Sequence, residues 1–153
     1  MSEPTNHAEM LNAADVDGWV RTTGLRFTLA TVDEVRAELT IGPPHHQPYG
    51  IVHGGVHAGI IETTCSVGAA LNAMAEGRHA VGLENHTSFL RAVRSGKLTV
   101  VAKPIVRGRR SHVWEANVID ESERLVASGR VRMMILDADA DLAGERVALG
   151  GSR

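Results

Sequence analysis

One cysteine, Cys65, is all that this chain of 153 residues carries, so no intrachain disulfide can form and a reducing compartment fits it. An excess of charge of one sign is lacking too. The 16 Lys and Arg stand against 18 Asp and Glu, a net charge of -2, which argues against a dedicated nucleic-acid partner. No apolar stretch is long and unbroken enough to span a membrane, because the longest is interrupted by Glu62 and by polar residues. The opening MSEPTNHAEM has acidic residues and no apolar run, so no signal peptide is expected. Repeats and low-complexity blocks are absent. These absences leave a cytoplasmic chain as the expectation. Its 43% hydrophobic and 22% charged residues are ordinary for a globular protein. The length suits a single domain over residues 1–153, with 1–7 and 138–153 expected as loose ends.

The stretch PYGIVHGGVHAGIIETTCSVGAALNAM, from Pro48 to Met74, organises the rest. It reads as a glycine turn feeding an apolar helix with one carboxylate, Glu62. Val56, Ile60, Ile61, Val67, Leu71 and Met74 give an apolar surface wide enough for a helix buried on most sides. Ala58, Gly59, Gly68, Ala69 and Ala70 add little bulk, so strands can approach it closely. An ionised Glu in that setting is costly unless partnered.

Around this helix the chain alternates in strand-like fashion. A short helix is expected over Ala8–Val16, with Asn6 as its cap. Leu25, Phe27 and Leu29 form one period-two run, and Val35, Ala37, Leu39 and Ile41 a second, joined by a turn at Asp33 and Glu34. Gly42, Pro43 and Pro44 end the second run, and Glu76 with Gly77 ends the long helix. Four more strands are expected, near Ala80–Ala92, Leu98–Arg107, Ser111–Ile119 and Leu125–Leu136. One long apolar helix with one antiparallel sheet around it is an α+β layer architecture.

Three segments together resemble the PaaI-type hotdog-fold acyl-CoA thioesterases, in their aryl-CoA and 4-hydroxybenzoyl-CoA thioesterase-like branch. These are HGGVHAGIIE, then VGLENHTSFLRAVRSGKL, then VVAKPIVRGRRSHVWEANVIDESERLVASGRVRMMI, and the resemblance runs from Gly24 to Leu136. It implies a hotdog fold, a long central helix wrapped by about six antiparallel strands, with subunits paired through their sheets and their helices antiparallel. It implies hydrolysis of an acyl-CoA thioester, with coenzyme A entering as part of the substrate and no separate cofactor.

That chemistry needs a polarised carbonyl and an activated attacking group. Unpaired N–H groups at a helix start suit an oxygen that gains negative charge, and Gly54 and Gly55 let a carbonyl approach the backbone there. Glu62 supplies the base or the nucleophile; the residues do not decide between them. Eight residues separate Gly54 from Glu62 along one helix, or ~12 Å, too far for one thioester to touch both. Composite sites between two chains follow, two per dimer, with a tetramer left open. By resemblance, Gln47, fifteen positions before Glu62, helps hold the thioester, Gly54 polarises its carbonyl, and Ser66 assists from one turn past the acid. His53 orients the glycine turn. Asn85, His86 and Ser88 are candidate lining of the acyl pocket.

Phosphates of coenzyme A call for cations. Arg91 matches a family position near the nucleotide, and Arg107, Arg109 and Arg110, with Ser111 beside them, form a basic turn. No metal is expected, because His45, His46, His53 and His57 lack a second carboxylate at helical spacing. Cys65 reads as a buried structural thiol and Trp114 as a core or interface aromatic. Two alternatives stand beside hydrolysis: a non-catalytic acyl-CoA-binding hotdog protein, and a hotdog hydratase or dehydratase with a His/Asp pair.

Overall fold

The computed structural model describes residues 4–14 and 18–147. Two short helices, α1 (Ala8–Ala13) and α2 (Trp19–Thr23), precede the hairpin β1 (Arg26–Ala30) and β2 (Val35–Ile41). A 3-10 turn at Pro43–His45 leads to the long helix α3 (Gly54–Ala75). Strands β3 (His79–Phe89), β4 (Gly96–Arg107), β5 (Ser111–Ile119) and β6 (Leu125–Leu136) follow, then a two-residue hairpin, β7 (Asp141–Leu142) and β8 (Glu145–Arg146).

The first six strands form one sheet in the order β1-β2-β4-β5-β6-β3, every neighbouring pair antiparallel. The long helix therefore carries the chain from one side of the sheet to the far edge. Period-two alternation sets the inner face: Val35, Ala37, Leu39 and Ile41 are buried on β2, and His112, Trp114, Ala116 and Val118 on β5. Against them α3 buries His57, Ile60, Ile61, Thr64, Cys65, Gly68, Ala69 and Ala73. The Thr64 hydroxyl is satisfied inside this core by the Ile60 carbonyl at 2.8 Å. Small residues on the helix allow the close approach expected of them. The Trp114 indole, wholly buried, lies on Gly68, where a methyl group would stand 2.3 Å from the ring.

The two edges of the sheet differ. At β1, the Asn12 amide stands in for a missing strand, donating to the Phe27 carbonyl at 2.7 Å and accepting from the Phe27 N–H at 2.9 Å. The N-cap of α1 is His7 and not Asn6 as expected; Asn6, one residue earlier, accepts from Ala8 N–H at 3.0 Å and pins β1 through Ala30 N–H at 2.9 Å. At the opposite edge β3 pairs only with β6, and Leu83 and Phe89 are 50% and 60% exposed.

Some sequence expectations shift. The first helix closes at Ala13, and the expected residues 15 and 16 lie outside the described ones. The separate helix α2 was not anticipated; Gly24, at φ +77, ends it. The strand expected to reach Ala92 stops at Phe89, because Leu90 and Arg91 both turn their N–H groups to the Val126 carbonyl.

Candidate active site

The loop before α3 is tied down residue by residue. Buried His45 accepts from Gly42 N–H through Nδ1 at 3.0 Å, so its Nε2–H donates to the Thr23 carbonyl at 2.8 Å. His46 Nε2 bonds to the Arg94 carbonyl at 2.7 Å, and Arg94 Nη1 donates back to the Tyr49 and Gly50 carbonyls at 2.8 and 3.2 Å. The half-buried Gln47 side chain bonds within its own loop, its Oε1 accepting from Tyr49 N–H.

At the helix start His53 is the N-cap. Its Nδ1 accepts from Gly55 N–H at 2.8 Å and its carbonyl from Val56 N–H at 2.9 Å. Gly54 N–H is left without an acceptor among the described residues. The Phe89 ring covers this glycine: a methyl group there would lie 2.5 Å from Phe89 Cε2.

Two turns along, Glu62 is half-buried and not the solitary carboxylate that the sequence suggests. Asn85 Nδ2 donates to its Oε2 at 3.0 Å and to the Ala58 carbonyl at 3.0 Å. Ser66 Oγ stands 3.4 Å from Oε1, a long contact. Oε1 also occupies the space over Gly82 of β3 where a side chain would begin, 2.5 Å from the position of an added methyl. Thr87 Oγ1 donates to Asn85 Oδ1 at 2.6 Å. Burial, and then the charges of Glu62 and Glu115, push the Cys65 thiol well above its ordinary range, so it stays protonated and inert. Burial lowers the pKa of His57, whose Nδ1 has no partner.

Glu62, Ser66 and Asn85 are thus brought together, whereas Gly54 stays eight residues away on the same helix, ~12 Å along its axis. His86 and Ser88 lie exposed on β3, and Arg91 exposed just beyond it. The basic turn lies elsewhere. Arg107 donates to Asp33 Oδ1 at 2.8 Å and Asn72 Oδ1 at 3.3 Å, so it ties β4 to the β1–β2 turn and the C-terminal half of α3. Arg109, Arg110 and Ser111 share that end of the helix, away from Gly54. Thr87, Gly82 and Phe89 were missed. Thr87 follows Asn85 by two, the spacing that puts both on one strand face, and a glycine inside a strand marks a close approach.

On the β1 side of α3, away from the β3 face that meets Glu62, runs an apolar groove of about 800 Å³, bounded by α1, α2, β1 and the face of α3 that carries Thr63 and Val67. Leu11, Val20, Leu25 and Phe27 line it. The Trp19 ring sits on Gly59 at one side, where a methyl group would come within 2.3 Å of it. Among the described residues no group of three or more His, Cys, Asp or Glu is placed to hold a metal ion. No helix among them is long and apolar enough to cross a membrane.

Comparison with known proteins identifies the family and the fold. The sequence model of the thioesterase superfamily matches residues 49–127. Rv1847 of Mycobacterium tuberculosis is 41% identical over 117 residues, 75% of this chain and 84% of that protein. The 1,4-dihydroxy-2-naphthoyl-CoA hydrolase of Escherichia coli is 33% identical over 128 residues, 84% of this chain and 93% of that one. The crystal structure of thioesterase HI1161 from Haemophilus influenzae superposes with a TM-score of 0.80 at 31% identity, covering 86% of this chain and 91% of that one.

Proposed function

The chain belongs to the thioesterase superfamily and is a hotdog-fold thioester hydrolase, and we propose that it cleaves an acyl-CoA to the free acid and coenzyme A, with Glu62 attacking the thioester carbon or deprotonating the water that does. The observation that carries this is Glu62 itself, held by Asn85 and Ser66 on the helix whose first turn keeps an unspent Gly54 N–H. As the carbonyl becomes tetrahedral its oxygen takes on negative charge, and that N–H with the helix dipole behind it stabilises it. The C–S bond then breaks, and the thiolate takes up a proton that came from water and leaves as coenzyme A; where Glu62 itself attacks, the mixed anhydride it forms is hydrolysed by water in a second step that frees the acid and restores the carboxylate. Water, a carboxylate and a backbone donor supply every part of this proposed step.

Because ~12 Å of helix separates the two groups, Gly54 of one chain serves Glu62 of another in an antiparallel pair. The uncovered β3 edge, with Leu83 and Phe89 exposed, supports pairing on that side, in a dimer at least. Gln47, in the loop that leads into α3, is the proposed further contact to the thioester. The naphthoyl-CoA hydrolase among the relatives supports an aromatic acyl group, with a medium chain as the other candidate. With Arg107 committed to Asp33, Arg91 is the first candidate for the coenzyme A phosphates, followed by Arg109 and Arg110. The cytoplasm is the proposed location.

Thiol release from a panel of aryl- and fatty-acyl-CoA esters tests the reading, with the wild type beside Glu62→Gln. Turnover is expected in the wild type and absent in the variant. A fully active variant, or a wild type that binds acyl-CoA and releases nothing, would overturn it, the latter in favour of a binding protein.

A further inference from the structure

Asn85 and Thr87 touch nothing that an ordinary edge strand requires, yet they form an ordered chain ending on Glu62. The Asn85 amide meets three groups. Its nitrogen faces the Glu62 carboxylate and the Ala58 carbonyl, each at 3.0 Å. Both neighbours only accept, so the amide cannot flip without setting its own oxygen against them. On the other side the Thr87 hydroxyl donates to Oδ1 at 2.6 Å, which fixes the same orientation a second time. Ala58 lies one helical turn before Glu62, so the amide spans the turn of α3 that carries the acid.

Two glycines clear the space. Gly129 on β6 pairs with Thr87, and a methyl group there would lie 2.6 Å from the Thr87 hydroxyl. Gly82 leaves room for Glu62 Oε1 in the same way. The carboxylate therefore has two unlike oxygens. Oε2 is anchored by Asn85, whereas Oε1 meets only the distant Ser66 hydroxyl over the bare Gly82.

Resting on the thioesterase reading above, we propose that Asn85 and Thr87 are positioning residues, a relay that anchors one oxygen of Glu62 so that the other, over Gly82, acts on the thioester or its water. Asn85 is thereby moved from the acyl pocket to the support of the acid.

The test uses kcat and KM for the best acyl-CoA ester, with melting temperatures, for Asn85→Ala, Thr87→Val, Thr87→Ser and Glu62→Gln. Loss of orientation at a reacting group lowers kcat by about tenfold or more and leaves KM within about twofold. Asn85→Ala should show this in full and Thr87→Val in part. Thr87→Ser, which keeps the hydroxyl, should return to wild-type kcat, and all should melt as the wild type does. Wild-type kcat in both Asn85→Ala and Thr87→Val, with Glu62→Gln inactive, overturns the relay alone. So does a Thr87→Ser as impaired as Thr87→Val, because side-chain packing rather than the hydroxyl would then matter. Turnover by Glu62→Gln overturns the relay together with the assignment of the acid.

Discussion

Replacing Gly82 by alanine should separate activity from stability. Gly82 lies within β3 and has no positive φ, so alanine fits its backbone. The substitution also restricts the unfolded chain, worth ~0.4–1 kcal/mol in favour of folding. The new methyl group would stand 2.5 Å from Glu62 Oε1, while the carboxyl carbon, at 3.7 Å, is already at ordinary contact. Only the tip of a half-buried side chain is struck, and it can swing away at little cost to the fold. To reach ordinary contact the oxygen retreats by roughly 1 Å, and the hydrogen bond from Asn85 distorts with it. A displacement of about 1 Å at a reacting group costs ~100-fold in rate. Thiol release should therefore fall by about two orders of magnitude. The melting temperature should hold or rise by a few degrees, roughly 2–4 °C per kcal/mol in a chain of this size. An alanine variant with wild-type kcat would refute this account of the Glu62 setting, as would one whose lost activity follows a lower melting temperature.

The same substitution at Gly68 should do the reverse. There the methyl group meets the Trp114 ring at 2.3 Å, and the indole is wholly buried and cannot retreat, so Gly68→Ala should cost ~1–3 kcal/mol by overpacking, read as a lower urea midpoint. A stability loss near zero would show that α3 and β5 can part freely. Stability should also fall in acid. His57 is held neutral by burial, and His112 by burial and by Arg107, so both take up protons more readily when unfolded. Their contribution is present above the ordinary histidine value of 6.5 and is lost as pH falls below it. Urea unfolding at pH 7.5 and pH 5 should show the loss, and His57→Gln should reduce it; an unchanged difference would remove His57 as a cause.

Much of the scaffold was legible because it depends on local chemistry. Period-two runs marked β2, β5 and β6, and glycine with small apolar residues marked α3 from its turn to its end. The i,i+4 spacing also placed Ser66 beside Glu62. What escaped depends on contacts between distant segments. Helix α2 is too short to announce itself, and its Trp19 finds a seat only because Gly59, forty residues on, is bare. Arg107 looked like a phosphate contact beside a turn, and only folding shows Asp33 and Asn72 waiting for it. Asn85 alternates along β3 as any edge residue does. Its contact with Glu62 exists because the β3–β6 register, shifted between Gly82 and Glu84, sets that strand face against the helix.

The unequal edges of the sheet give the proposed pairing a physical reason. An exposed strand edge is a template for another chain, and β1 is protected from that role by the Asn12 amide, which both donates to and accepts from Phe27. Among the described residues strand β3 has no such cover, and its eleven residues include the exposed apolar side chains Leu83 and Phe89. It is also the strand that supplies Gly82, Asn85 and Thr87 to the acid and Phe89 to the helix start. An edge that borders both halves of a divided site, and that alone of the two is uncovered, is where a second copy of the chain would have to come for either half to be completed. Placing an N–H donor and a carboxylate ~12 Å apart on one straight helix serves a thioester only when two such helices run in opposite directions. On this argument the open edge and the split site are one feature, and blocking the edge should remove activity even with every residue of the site intact.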